Sequence, residues 1–140
     1  ASRMRILLVE DDPVLRDVMA RSLGDRGHRV DSASTLAGAM HFWQVQAYDA
    51  VLLDLSLPDG SGLEIMRHFR RRHGADGGVD AQQPGQPPPP PPVRGIALSG
   101  FGMEEDIRRS REAGFEHHLT KPVTFDRLRA VLKQIEAAGS

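Results

Sequence analysis

The sequence predicts an α/β domain built on one doubly wound parallel sheet, and three observations lead there. Short apolar runs that fit strands buried on both faces recur five times. A stretch of helical spacing or composition follows each of them. Most of the runs stop abruptly in polar or turn residues, as strands do where they deliver side chains to the rim of a sheet. Strand–helix alternation of this kind calls for crossover connections, hence five parallel strands with five helices on both faces. With 140 residues the chain can build one core but not two, so residues 1–140 are expected to form a single domain.

Met4 to Val9 is the first apolar run and ends in Glu10-Asp11-Asp12-Pro13. Asp12 and Pro13 read as the N-cap and first position of a helix, but a cap does not explain three adjacent acids, which repel one another unless something positive binds them. The helix that follows carries Val14, Leu15, Val18, Met19, Ser22 and Leu23 on one face and closes at Gly24 or Gly27. His28 to Ala33 is a shorter second strand. Leu36, Ala39, Met40 and Trp43 then recur at helical spacing in a segment ending near Tyr48, and Trp43 reads as packing rather than ligand binding.

Ala50 to Leu53 forms the third strand and delivers Asp54 to the rim, shortly before the turn residues Pro58 to Gly62. Asp54 is either a cap for the next helix or an acid placed for chemistry. Leu63, Met66 and Phe69 mark the third helix, and Arg70-Arg-Arg72 suit its carboxyl end through the macrodipole. At about 74–94 the composition changes to Pro, Gly and Gln, with six consecutive prolines at Pro87 to Pro92. This is expected to be a disordered insertion in a loop, its proline run a rod of roughly 19 Å; a ligand for a proline-binding groove is the alternative.

Gly95 to Leu98 is the fourth strand and presents Ser99. Met103 to Gly114 is helical in composition, with a thin apolar stripe of Ile107 and Ala113 and with acids before bases along its length. Phe115 to Leu119 is the fifth strand and leads to Thr120-Lys121-Pro122. Thr124 caps the last helix, whose apolar face is Phe125, Leu128, Val131, Leu132 and Ile135.

Composition narrows the function. Eighteen Lys plus Arg against nineteen Asp plus Glu leave the chain near neutral, with no field to draw it to nucleic acid or to an anionic membrane. It has no cysteine, which excludes disulfides and thiolate metal sites and fits a reducing compartment. No run is long enough to span a membrane and no secretory signal opens the chain, so a cytoplasmic location is expected.

In sheets of this kind ligands bind beyond the carboxyl ends of the strands. That rule gathers Glu10, Asp11, Asp54, Ser99 and Lys121 on one rim. Clustered acids make a hard-cation site, and so few carboxylates suit a Mg²⁺ that keeps several waters better than Ca²⁺. An ammonium and a hydroxyl beside that ion would complete a receptor for a phosphoryl group.

Four segments, Ile6-Leu-Leu-Val-Glu-Asp-Asp-Pro13, Asp49-Ala-Val-Leu-Leu-Asp-Leu-Ser-Leu-Pro-Asp-Gly-Ser-Gly62, Ile96-Ala-Leu-Ser-Gly100 and Leu119-Thr-Lys-Pro122, resemble in kind and order the receiver domain of two-component response regulators. The resemblance implies a flavodoxin-like (β/α)5 fold with strand order 2-1-3-4-5. It further implies that Asp54 accepts a phosphoryl group from a histidine kinase or a phosphotransfer domain carrying phosphohistidine, and that a downstream output domain or protein reads the result. Asp11, Asp54 and the backbone carbonyl of Ser56 would ligate Mg²⁺, with Glu10 acting through water. Ser99 and Lys121 would meet the phosphoryl group, and Ser99 with the residue at position 118 would form the switch that remodels the face of the fourth helix, fifth strand and fifth helix. Relatives carry an aromatic where this chain has His118; the other reading of His117 and His118 is an exposed strand pair. Ser56 and Phe101 lie where relatives tune hydrolysis, and the Lys121-Pro122 peptide is cis in relatives.

The segment from Gly102 to Gly114, with the motif around Lys121, is most similar to receivers at the carboxyl terminus of hybrid histidine kinases. A stand-alone response regulator and a binding-only pseudo-receiver are the alternatives. A phosphatase or nucleotide hydrolase on a similar sheet fits less well, because no phosphate-cradling Gly-Lys-Ser/Thr loop is present and no second acid stands two residues after Asp54.

Overall fold

The structure, a computed structural model, describes residues 3–70, 93–100 and 104–138. Most of the Pro-rich insertion, together with Arg71, Arg72, Phe101 and Met103, lies outside the described residues. Seven strands and five helices are found among the described residues: β1 (Arg5–Val9), α1 (Pro13–Asp25), β2 (Arg29–Ala33), α2 (Leu36–Val45), β3 (Ala50–Asp54), β4 (Ser56–Leu57), β5 (Gly60–Ser61), α3 (Gly62–Arg70), β6 (Arg94–Ser99), α4 (Glu104–Ala113), β7 (His117–Thr120) and α5 (Phe125–Ala138). Five strands form one parallel sheet in the order β2-β1-β3-β6-β7. This is the expected 2-1-3-4-5 order once the two-residue strands β4 and β5, an antiparallel hairpin within the expected turn, are set aside. The hairpin escaped the sequence reading because Pro58, Asp59 and Gly60 dominate it.

Period-two alternation divides the core between the two faces of the sheet. Leu7, Val9, Val51, Leu53 and Ala97 join Trp43, Met66, Phe69 and Phe115 on one side. Ile6, Leu8, Leu52, Ile96 and Leu98 join Met19, Leu23, Leu128, Leu132 and Ile135 on the other. Trp43 is packing, as expected, with its ring stacked on Phe69 at 4.0 Å between centroids. Central β3 is buried along its whole length, which fixes the backbone that carries Asp54.

Asp12 caps α1 by accepting from Val14 N at 3.0 Å and Leu15 N at 3.4 Å, and Pro13 takes the first turn. Gly27, at φ +93°, makes the left-handed turn that ends the segment. The apolar face assigned to α1 was too broad: Met19 and Leu23 are buried, whereas Val14 is 71% and Val18 37% exposed. Phe125, assigned to the face of α5, is likewise exposed. Both helices have more apolar positions than the sheet can cover, and the surplus faces water. On α4 the buried positions are Ser110 and Ala113, with Ile107 only half-buried, so part of the expected stripe is a serine.

The carboxyl-terminal limit of the insertion is also corrected. Val93 is buried and Arg94 opens β6. An arginine is accommodated there because it pairs with Glu116 at 2.5 Å and donates to Ile135 O at 3.1 Å. Arg70 does more than end α3: it is half-buried and donates to Val93 O at 3.3 Å, tying the helix to the start of β6.

At the amino ends of the strands, residues far apart in the chain form a buried clamp. His28, its side chain fully buried, accepts from Met4 N at Nδ1 (3.0 Å) and meets Glu136 at Nε2 (2.6 Å). Arg26 Nε donates to the same carboxylate at 2.8 Å. The Arg26 hydrogen bond, aided by His28 and opposed by burial, holds the Glu136 carboxyl down at about 2. Helix α5 is thereby tied to β1 and to the α1–β2 turn.

Candidate functional site

The opposite end of the sheet gathers the acids. Glu10 follows the last residue of β1 and is fully buried; Asp54 ends β3 and is 2% exposed; Asp11 is exposed at the surface. One carboxylate oxygen from each lies within 4.8 Å of the others. β1 and β3 are paired neighbours, with Val9 beside Leu53, so the sheet register itself brings the acids together. Lys121, which follows β7, reaches over the pair: its Nζ is 2.9 Å from Asp54 Oδ2 and 2.9 Å from Glu10 Oε1. The Lys121-Pro122 peptide is cis, as the resemblance implies, and Lys121 N donates to Ser99 O at 2.7 Å.

Each partner of Asp54 follows from local geometry. Ser56 N donates to its Oδ1 at 2.9 Å, so one oxygen meets the backbone and the other the lysine. The chain then turns close beneath the site at Gly62. A Cβ there would lie 2.6 Å from the carbonyl oxygen of Asp54, so only glycine lets α3 begin so near β3.

The electrostatics are those of a site suited to a cation. Burial pushes the Glu10 carboxyl up to about 7; the Asp12 N–H and the lysine pull it down without prevailing, while Asp11 and Asp54 add to the rise. Asp11 moves the other way, below the ordinary carboxylate range, chiefly through its interaction with the neighbouring Glu10 side chain. Burial works against the Lys121 ammonium, yet its contacts with Asp54 and Glu10 outweigh it and raise its pKa. Glu10 Oε1 is buried and, despite the ion-pair distance to Lys121, has no hydrogen-bond partner among the described residues. A buried oxygen left without a hydrogen bond beside two further carboxylates fits a hard, oxygen-seeking cation such as Mg²⁺.

Ser99 ends β6, nearly buried, and its Oγ lies 2.8 Å from His118 Nε2. His118 is half-buried, which replaces the exposed-pair reading, and its Nδ1 lies 3.3 Å from Ser110 Oγ of α4. Ser110 had no signal in the sequence, since a serine on a helix ordinarily reads as solvent-facing. Beside the acids, Val14, Leu15, Val18, Pro122 and Val123 line an apolar groove that runs to Lys121.

Residues 6–133 match the family described as response regulator receiver domain. Over 138 residues the chain is 31% identical to the transcriptional regulatory protein TcrA of Mycobacterium tuberculosis, covering 99% of this chain and 48% of TcrA. The response regulator protein PilR of Pseudomonas aeruginosa is 30% identical over 131 residues, covering 94% of this chain and 26% of PilR. The chain therefore spans half or less of these curated relatives. Among solved structures, the BeF3-activated DrrB receiver domain superposes with a TM-score of 0.78 at 25% identity, covering 97% of this chain and 99% of that one. With residues 6–133 matched to that family and the fold in agreement with a solved receiver domain, the chain belongs to the response regulator receiver domain family.

Proposed function

We propose that this domain receives a phosphoryl group from a phosphohistidine donor onto Asp54 and so carries a two-component signal in the cytoplasm. The observation that carries this is the buried strand-end carboxylate of Asp54, grouped with Glu10 and Asp11 and paired to Lys121 at 2.9 Å. Asp11, Asp54 and the Ser56 carbonyl would hold Mg²⁺, with Glu10 acting through water; the bound ion supplies positive charge to the phosphoryl oxygens during transfer. An Asp54 carboxylate oxygen forms the bond to phosphorus as the bond from phosphorus to the donor's imidazole nitrogen breaks. Lys121 leaves its ion pair with Asp54 for a phosphoryl oxygen, and Ser99 donates its hydroxyl to another. Apart from that exchange of partners the donors are held in place by the fold, so they stabilise spread charge with less reorganisation than water needs.

The regulator relatives support a response regulator in preference to the carboxyl-terminal receiver of a hybrid histidine kinase. An output domain of the parent protein, or a separate protein, would read the state of the α4–β7–α5 face. The exposed Val14 and Val18 and the groove toward Lys121 suit an apolar helix face of the donor protein, which must seat its phosphohistidine next to Asp54.

Acetyl phosphate with Mg²⁺ should add one phosphoryl mass to the chain, and Asp54→Asn should abolish it. No adduct, or an undiminished adduct in the variant, would refute the assignment.

A further inference from the structure

The contacts around His118 define where its proton sits. Ser110 Oγ donates its hydroxyl proton to Ile107 O at 2.7 Å, so toward His118 it can only accept. The ring proton therefore lies on Nδ1, aimed at Ser110. In the neutral ring Nε2 is then bare, and the 2.8 Å contact with Ser99 is made by the Ser99 hydroxyl donating to it. That commits the serine's hydroxyl proton to a hydrogen bond with the histidine. It is the proton Ser99 must offer to a phosphoryl oxygen.

When Ser99 turns its proton to a phosphoryl group, its oxygen and His118 Nε2 face each other as two acceptors. Either the ring leaves or it gains a proton. We propose that His118 is a proton-linked positioning residue, whose Nε2 takes a proton from solvent on phosphorylation and donates it to Ser99 Oγ, so that α4, the switch strand and the phosphoryl group join in one hydrogen-bonded chain. The step breaks no covalent bond between heavy atoms: one solvent proton goes to Nε2, and the hydroxyl proton of Ser99 stays on Ser99 but changes acceptor. This rests on Asp54 being the phosphoacceptor.

The surroundings are compatible with both states. Burial holds His118 below the ordinary histidine value, Asp106 of α4 favours its cation and Arg127 of α5 opposes it. Ser99 of β6 and Ser110 of α4 are neutral contacts, while Lys121, Asp54 and Glu10 at the rim are engaged with one another. The unphosphorylated domain thus keeps the ring neutral, and a nearby phosphoryl group adds the negative charge that favours the imidazolium.

The test is an NMR titration of the His118 ring in the ¹⁵N-labelled chain with Mg²⁺, with and without beryllofluoride as phosphoryl mimic, the resonance being assigned by its loss in His118→Asn. The free protein should give the Nδ1–H tautomer, and loading should raise the proton affinity of His118 at least tenfold. By linkage, the ratio of wild-type to His118→Asn affinity for beryllofluoride should rise up to about tenfold for each pH unit of acidification between the two His118 pKa values. A loaded protein whose His118 titrates unchanged, or less readily, overturns the inference and leaves the Asp54 assignment standing. Failure to load wild-type protein while Mg²⁺ is present overturns both.

Discussion

Replacing Glu136 with Gln should lower stability by about 2–3 kcal/mol at pH 7 and flatten its acid dependence. The carboxyl falls from an ordinary 4.5 to about 2 in the folded chain, and at about 1.36 kcal/mol per pKa unit this corresponds to roughly 3 kcal/mol. The lower end of the range allows for water around Arg26, whose side chain is 26% exposed. Because the folded pKa is depressed, the contribution is fully present above pH 4.5 and disappears as pH falls toward 2. Gln keeps the shape, so packing is conserved while the charge that pairs Arg26 and His28 is removed. The assay is urea unfolding followed by fluorescence of Trp43, the single tryptophan, buried against Phe69, at several pH values between 7 and 2. A loss under about 0.5 kcal/mol, or a variant whose stability still falls through that window as steeply as wild type, would refute the clamp. Labelling by acetyl phosphate should be unaffected, since the clamp sits at the far end of the strands from Asp54.

Changing both Val14 and Val18 to Asp should reduce transfer from a phosphohistidine donor protein by about tenfold or more, the equivalent of one well-packed contact, while labelling by acetyl phosphate changes little. Equal losses with both donors would mean the residues act on the site and not on docking. Gly62→Ala should cost about 1–3 kcal/mol and slow labelling, because the new methyl must displace the Asp54 carbonyl; thermal unfolding together with the labelling rate checks both effects. Deleting residues 77–92 should leave acetyl phosphate labelling within about twofold of wild type, since the described residues that flank the segment, the end of α3 and the start of β6, lie at the other end of the sheet from the acids. A many-fold loss would show that the insertion supports the site.

Much of the site was legible in the sequence because strand-end chemistry is local. Apolar runs that stop at Glu10, Asp54 and Ser99 announce a rim, and one topological rule brings those residues together with Lys121. Asp12 and Thr124 were legible as caps for the same reason, each bonding an amide within three residues. What was not legible depends on partners remote in the chain. His28 meets Glu136 across 108 positions, and neither residue type announces a buried pair. Ser110 becomes meaningful only when α4 packs beside His118. Val14 and Val18 fit the helical period of α1 as well as Met19 and Leu23 do; which of them face the sheet depends on how the helix is rotated against it, and periodicity alone leaves that angle free.

The sheet also acts as a partition. Counting residues along the strands, Glu10, Asp54 and Lys121 continue the series that faces α1 and α5, whereas Ser99 and His118 continue the series that faces α3 and α4. Among the described residues two separately packed compartments therefore come together at the rim, one holding the charges and the other the hydroxyl and the imidazole. On the proposed function, a group on Asp54 would engage Ser99 at that rim and so pass the signal from the first compartment to the second. Conservative repacking of either core should leave the other's fluctuations untouched, and double substitutions taken one from each core should be additive to within about 0.5 kcal/mol.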